Sequence, residues 1–380
     1  MNNQTVYKDS KSHYLILDAL RGIAAIIVVF FHIFEVFANG DHTKLIINHG
    51  YLAVDFFFAL SGFVIGYAYD DRWNSMNLKS FFKRRLIRLH PMIIIGMIIG
   101  ALLYYFQFGP LFPFISETPV WKLLIVMLIG MTLLPLTPSM EIRGWTEMHP
   151  LNGPAWSLFF EYIANILYAL WLRKLSNKWI ATLAFIAGSV LIHMAVTRGD
   201  IIGGWALNSE QIYVGFTRLL YPFLAGLLLS RISKPKKLNN AFLWTTLILT
   251  IVLAIPRIGG AQQGYLNGIY DSLIVIVVFP ILVYMGSCGQ IVSDRVKKLA
   301  TFLGNLSYPL YITHYPIMYI FMAWVARNEL YVDPTSTDKL PQLIIASLAT
   351  LITSILLGHY LFKIYDLPIR SWLTKKWMNK

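Results

Sequence analysis

The sequence predicts an all-α protein, a polytopic membrane helical bundle of about ten transmembrane helices with both termini cytoplasmic. Three observations lead there. Of 380 residues, 57% are hydrophobic and only 13% are charged. Apolar runs of about twenty residues recur from end to end, each long enough to cross roughly 30 Å of hydrocarbon as a helix. Lys and Arg gather in a few of the connections between those runs, as they do on the cytoplasmic side of membrane proteins.

Taken in order, the apolar segments lie near residues 15–37, 51–69, 85–107, 119–137, 154–172, 179–197, 211–230, 241–256, 265–287, 299–325 and 341–362. The first has no small-residue cleavage pattern after it, so it is expected to remain as a span rather than leave as a signal peptide. The connection carrying Arg72, Lys79, Lys83, Arg84, Arg85 and Arg88 is strongly basic, as are those carrying Arg231, Lys234, Lys236 and Lys237, and Arg295, Lys297 and Lys298. With the end carrying Arg370, Lys375, Lys376 and Lys380, they are expected inside. Counting back from a cytoplasmic C-terminus also puts Arg173, Lys174 and Lys178 inside. Counting forward from a cytoplasmic N-terminus puts the loop around Pro110 outside, and the two counts differ by one crossing. Segment 119–137, short and bounded by Pro113, Pro119 and Pro135, is therefore the one expected not to span.

Residues 1–380 read as a single membrane domain, since no loop is long enough to fold by itself, and 364–380 as a basic cytoplasmic tail. The net charge of +13 is spread over membrane boundaries, which argues against a nucleic-acid partner. The single Cys288 excludes an internal disulfide, and no Cys/His spacing suggests a metal site.

Ionisable groups inside apolar segments are costly and mark candidate sites. Arg21 and His32 are eleven residues apart in the first segment, so they project from nearly one helical face about 16 Å apart. Asp18 is on the same face, placed to neutralise Arg21. A buried neutral imidazole such as His32 suits a general base; Arg21 reads equally as a snorkelling cation at the membrane edge. In the second segment Asp55 reads as a solvated terminus, and Ser61 reads as a close-packing residue rather than a nucleophile, because no Gly-x-Ser-x-Gly elbow surrounds it. Arg85 and Arg88, three apart before Pro91, suit phosphate contacts; an anchor on anionic lipid competes, and charge alone favours it. Glu161, following Trp156 and Ser157 in the fifth segment, is expensive unless paired. Its place about a turn and a half inside the span suggests a depth similar to that of His32. Tyr311 and His314 share a face of a later segment, where packing with local hydrogen bonds is the alternative. His13, His42, His49, His149, His193 and His359 receive no role.

Together these segments resemble the acyltransferase-3 family of integral membrane acyltransferases. The resemblance rests on Leu17-Asp18-x-x-Arg21-Gly22 with ten residues between Arg21 and His32, and on Val54-Asp55-x-Phe57-Phe58-x-Leu60-Ser61-Gly62-Phe63. It continues through Arg85-x-x-Arg88-x-x-Pro91, Trp156-Ser157-Leu158-x-x-Glu161 and Ser307-Tyr308-x-x-Tyr311-x-x-His314. Asp366-Leu367-Pro368 looks like an acidic-x-Pro element near the end. The motifs stand in order over nearly the whole chain.

The resemblance implies transfer of an acyl group, usually acetyl, from acetyl-CoA or another cytosolic acyl-CoA to a hydroxyl of a cell-surface carbohydrate or lipid-linked glycan, in a bacterial inner membrane and without a metal. It assigns Arg21 and His32 as the key pair, Arg85 and Arg88 as donor-side support and Glu161 as a further essential carboxylate. Asp18, Asp55, Ser61, Trp156, Ser157, Tyr311 and His314 are left as substrate or structural support. Some members carry an extra soluble esterase-like domain; none is expected in this sequence, so a separate downstream transferase is an alternative recipient of the acyl group. A reading from another class is a secondary transporter or exporter, with His32, Glu161 and Arg21 as proton relay and substrate site.

Overall fold

The computed structural model describes residues 11, 13–45, 47–234, 236–259, 262–330 and 339–378. Among them the chain forms thirteen α-helices and isolated β-bridges but no named strand, so the all-α bundle is what the protein adopts. Eight helical stretches are long and apolar enough to cross a bilayer, fewer than the ten expected. The shortfall has a physical cause. Helix α8 (Ala241–Ala254) has only 14 residues, whereas α11 (Asp294–Arg327) has 34 but is too polar to count by composition. Much of α11 is instead buried inside the bundle, where its polar groups meet other helices rather than lipid.

The helices that position the site alternate in direction. Helix α1 (Leu15–Phe37) runs from Arg21 towards His32, and α2 (Ala53–Tyr69) returns beside it. Helix α3 (Leu78–Leu103) starts earlier than the apolar segment at 85 suggests, because Asn77 caps it by accepting from the Ser80 amide at 2.9 Å. Its basic first half is thus helical, and Pro91 lies inside it rather than starting a new span.

Helix α4 (Val120–Met131) has 12 residues, about 18 Å of rise, too short to cross. The chain leaves α3 and enters α5 (Ala155–Leu170) at one end of the bundle: Gly100 of α3 abuts the Leu151 backbone, and Arg143 donates to Gln107 at 2.8 Å. No crossing intervenes between α3 and α5.

Helix α6 (Asn177–Arg198) and α7 (Ser209–Ile232) follow, and α9 (Gly264–Leu273) continues through a π-helical turn into α10 (Phe279–Cys288). The described part of the basic segment 364–380 is helical. Helix α12 (Leu340–Leu361) passes through a π-helical turn, Phe362–Asp366, into α13 (Leu367–Met378), which packs on α3 and buries Arg370 in an ion pair with Asp366 at 3.1 Å. Residues 379 and 380 lie outside the described residues.

Helices α2 and α7 touch backbone to backbone. A Cβ added at Gly62 would lie 2.0 Å from the Phe223 carbonyl oxygen, and one at Gly226 the same distance from that of Ala59. Such reciprocal contact is how helices pack closely in a membrane. Because the obstruction is backbone, Gly226→Ala is expected to force the pair apart and to cost about 1–3 kcal/mol. Thermal unfolding of the detergent-solubilised protein would read this as a lowered midpoint.

Candidate active site

Two cavities open between these helices, one on each side of a shared wall. The first, about 260 Å³, is lined by Lys11, Arg21, Arg72, Arg84, Arg85, Arg88 and Arg370, against the carboxylates Asp18 and Glu161. The second, about 490 Å³, is lined by His32, Glu35, Glu147, Arg218 and the rings of Trp145, Trp156 and Trp205. Val54 and Tyr311 line both. The eleven-residue spacing on α1 therefore places Arg21 in one cavity and His32 in the other, back to back.

In the cationic cavity, Asp18 accepts from Arg21 at 3.3 Å, as the i,i+3 spacing suggests. Glu161 accepts from Arg85 at 2.8 Å and from the Ser61 hydroxyl at 3.1 Å. This corrects the expectation that Glu161 lies at the depth of His32: the turn and a half from the start of α5 carries it past the wall into the cationic cavity. Ser61 is thus a hydrogen-bond donor to Glu161, and Gly62 beside it makes the close packing. Arg88, half-buried, makes no hydrogen bond or ion pair to any described residue, so its guanidinium is available to a ligand. Arg370 arrives from α13.

In the second cavity His32 Nδ1 lies 2.8 Å from Glu35 Oε2, one turn further along α1. With the proton on Nδ1, Glu35 orients the ring and leaves Nε2 as the base. The ring of Tyr315 meets it edge-on at 4.9 Å, and that of His314 lies 5.7 Å away. His314 itself is fully buried, its Nδ1 at 3.1 and 2.9 Å from the carbonyls of Leu310 and Tyr311 within its own helix. It packs beside the site and does not line the cavity.

The wall between the cavities is held by polar contacts. Tyr311 and Ser157 share a hydrogen bond of 2.8 Å, and the Phe57 ring meets Tyr311 edge-on at 5.4 Å. Asp55 is not a solvated terminus. It is fully buried and accepts from Arg218 at 2.7 and 3.3 Å, because α2 begins inside the bundle opposite α7. Arg218 also donates to the carbonyls of Tyr51 and Gly203 and lies under the Trp156 ring at 5.2 Å. The pair fixes the wall.

Sequence reasoning missed several of these residues. Glu35 was accessible to it, being a carboxylate three residues from His32 in an apolar helix. So was Arg218, a costly cation in the seventh segment with Asp55 as its natural counter-ion. Glu147 gave no such signal, since it comes from the irregular stretch before α5. There it accepts from Tyr319 at 2.6 Å and lies 3.9 Å from Arg143. Burial pushes its carboxyl up to about 7 despite Arg143 and the Tyr319 hydrogen bond, which act the other way.

A family model described as an acyltransferase domain matches residues 14–359. The chain is 22% identical over 331 residues to O-acetyltransferase OatA of Staphylococcus aureus, covering 83% of this chain and 52% of that one; it spans about half of OatA's length. It is 29% identical over 190 residues to protein 2 in the picA locus of Rhizobium radiobacter, 47% of this chain and 93% of that one. It is also 30% identical over 166 residues to acyltransferase MdmB of Streptomyces mycarofaciens, 41% of this chain and 38% of that one. No solved structure matches. Since the family model takes in most of the sequence and the apolar helices give it a multi-pass membrane architecture, the chain belongs to the acyltransferase-3 family.

Proposed function

We propose that this protein is a membrane O-acyltransferase that moves an acyl group, acetyl in the first instance, from acyl-CoA to a hydroxyl of a cell-envelope glycan, in a bacterial inner membrane. The observation that carries the reading is the pair of back-to-back cavities, one cationic and one holding His32. CoA is polyanionic, and seven cations against two carboxylates suit its phosphates. The positive-inside rule orients that cavity to the cytoplasm, with both termini on the same side, and the His32 cavity to the outside. The names of OatA and MdmB support the acyl chemistry.

In this mechanism the donor's flexible arm carries the thioester from the cationic cavity to the Val54 and Tyr311 wall. His32 Nε2 takes the proton of the acceptor hydroxyl as its oxygen attacks the thioester carbonyl. The tetrahedral intermediate collapses with cleavage of the C–S bond, and the imidazolium returns its proton to the departing thiolate. Glu35 holds the ring and stabilises its charged form, while Arg21, Arg85, Arg88 and Arg370 hold the donor and Glu161 sets the position of Arg85.

The test is to follow label from acetyl-CoA in membranes containing the protein. Label entering glycan, with free CoA released in equal amount, is the expected result. Movement of a substrate across the membrane with no consumption of acyl-CoA would replace the enzyme by a carrier.

A further inference from the structure

The His32 cavity has a second wall that the transfer chemistry leaves unused, built from two loops rather than from helices. The stretch before α5 supplies Trp145 and Glu147, and the stretch before α7 supplies Trp205. An isolated antiparallel β-bridge joins Glu147 to Ala206, and the Met148 amide donates to the Trp205 carbonyl at 2.8 Å. Gly203 and Gly204 make the turn that delivers Trp205, with φ of +144° and +110°, values that side chains rarely adopt. A Cβ at Gly204 would also lie 2.5 Å from the Trp156 ring. Gln211 accepts from the Gly204 amide at 2.6 Å, and Arg218 donates to the Gly203 carbonyl at 3.1 Å. Both loops are therefore pinned to each other and to the bundle.

This cavity lacks the cation excess of its neighbour: Glu35 faces His32 at 2.8 Å, and Glu147 has Arg143 3.9 Å away. Its lining includes the carboxylates Glu35 and Glu147, and its one guanidinium, Arg218, is bound to Asp55. A volume of about 490 Å³ falls among small-molecule sites, which run from roughly 300 to 1,000 Å³. Flat indole faces beside carboxylates match the alternating C–H faces and hydroxyl edges of a pyranose ring. An anionic sugar would meet these carboxylates without a free guanidinium in the lining to receive it, which disfavours its binding.

We propose that Trp145, Trp205 and Glu147 form a sugar-ring subsite that accepts uncharged or amine-bearing acceptors and rejects acidic ones. The proposal rests on the acyltransferase reading above and adds the acceptor's charge class and the residues that select it. Glu147 receives a sugar hydroxyl or ammonium, the indoles carry the ring faces, and the acceptor hydroxyl to be acylated lies towards His32.

The test uses tetramers of N-acetylglucosamine, glucosamine and galacturonic acid as probes on the purified full chain. Binding is read by quenching of tryptophan fluorescence and transfer by label from acetyl-CoA. Neutral and amine tetramers are expected to bind and the uronate tetramer at least tenfold more weakly. Trp205→Ala, which removes a ring but not the turn, is expected to weaken binding roughly tenfold. Glu147→Gln keeps an acceptor for Tyr319 and should narrow the gap between neutral and acidic probes. Equal binding of all three tetramers, or a Trp205→Ala variant that binds as wild type does, would overturn the subsite. Selective binding without any transfer would uphold the subsite and fail the acyltransferase reading instead.

Discussion

Replacing His32 by Ala is expected to lower acyl transfer about 10²- to 10⁴-fold, the usual contribution of a positioned acid–base group, in a protein that still folds. The ring stands in a cavity wall rather than in a packed core, so its loss enlarges an existing space without stranding a buried partner among apolar side chains. Glu35 remains next to open cavity volume. The discriminating companion is Glu35→Gln. It retains an oxygen to accept from Nδ1 but lacks the charge that stabilises the imidazolium. Its turnover at saturating acyl-CoA should fall between wild type and His32→Ala. A folded His32→Ala protein with wild-type turnover would remove the base from the mechanism, and a Glu35→Gln protein equal to wild type would reduce Glu35 to a surface carboxylate.

How far the sequence revealed this site depends on whether the signal was local. The Arg21 and His32 stripe, the Asp18 contact and the failure of α4 to cross follow from helical periodicity and segment length, which neighbouring residues encode. The partners of Asp55 and Glu161 are 163 and 76 residues away, and a single sequence holds no direct record of which helix faces which. Hence Asp55 reads from the sequence as a solvated terminus, and Glu161 as lying at a depth similar to that of His32. Helical periodicity relates positions within one segment but not between segments, because each helix starts at its own level. The loop-borne residues Glu147 and Trp205 were the least legible. Their positions follow from a β-bridge and two glycines in left-handed conformations, and neither produces a hydrophobic period.

Arg85 and Arg88 were expected to support the donor together, yet their surroundings predict different losses. Arg88→Ala should raise the KM for acyl-CoA roughly ten- to hundred-fold, the equivalent of one charge-assisted hydrogen bond of about 1.5–3 kcal/mol, with turnover nearly unchanged. Its guanidinium makes no hydrogen bond or ion pair among the described residues, so its removal breaks no such contact. Arg85→Ala differs in kind, because it leaves Glu161 without the cation at 2.8 Å. An uncompensated carboxylate costs more than the pair contributed, and it would also repel the donor's phosphates. That variant should therefore lose thermal stability and turnover as well as donor affinity. The double variant Arg85→Ala/Glu161→Gln, which removes the stranded charge, should recover the lost midpoint while keeping the raised KM. Initial rates against acyl-CoA concentration and melting curves in detergent separate these outcomes. Equal KM values for wild type and Arg88→Ala would place the donor's phosphates elsewhere on the basic rim. A double variant no more stable than Arg85→Ala would mean that Arg85 supports the fold through its packing rather than through Glu161.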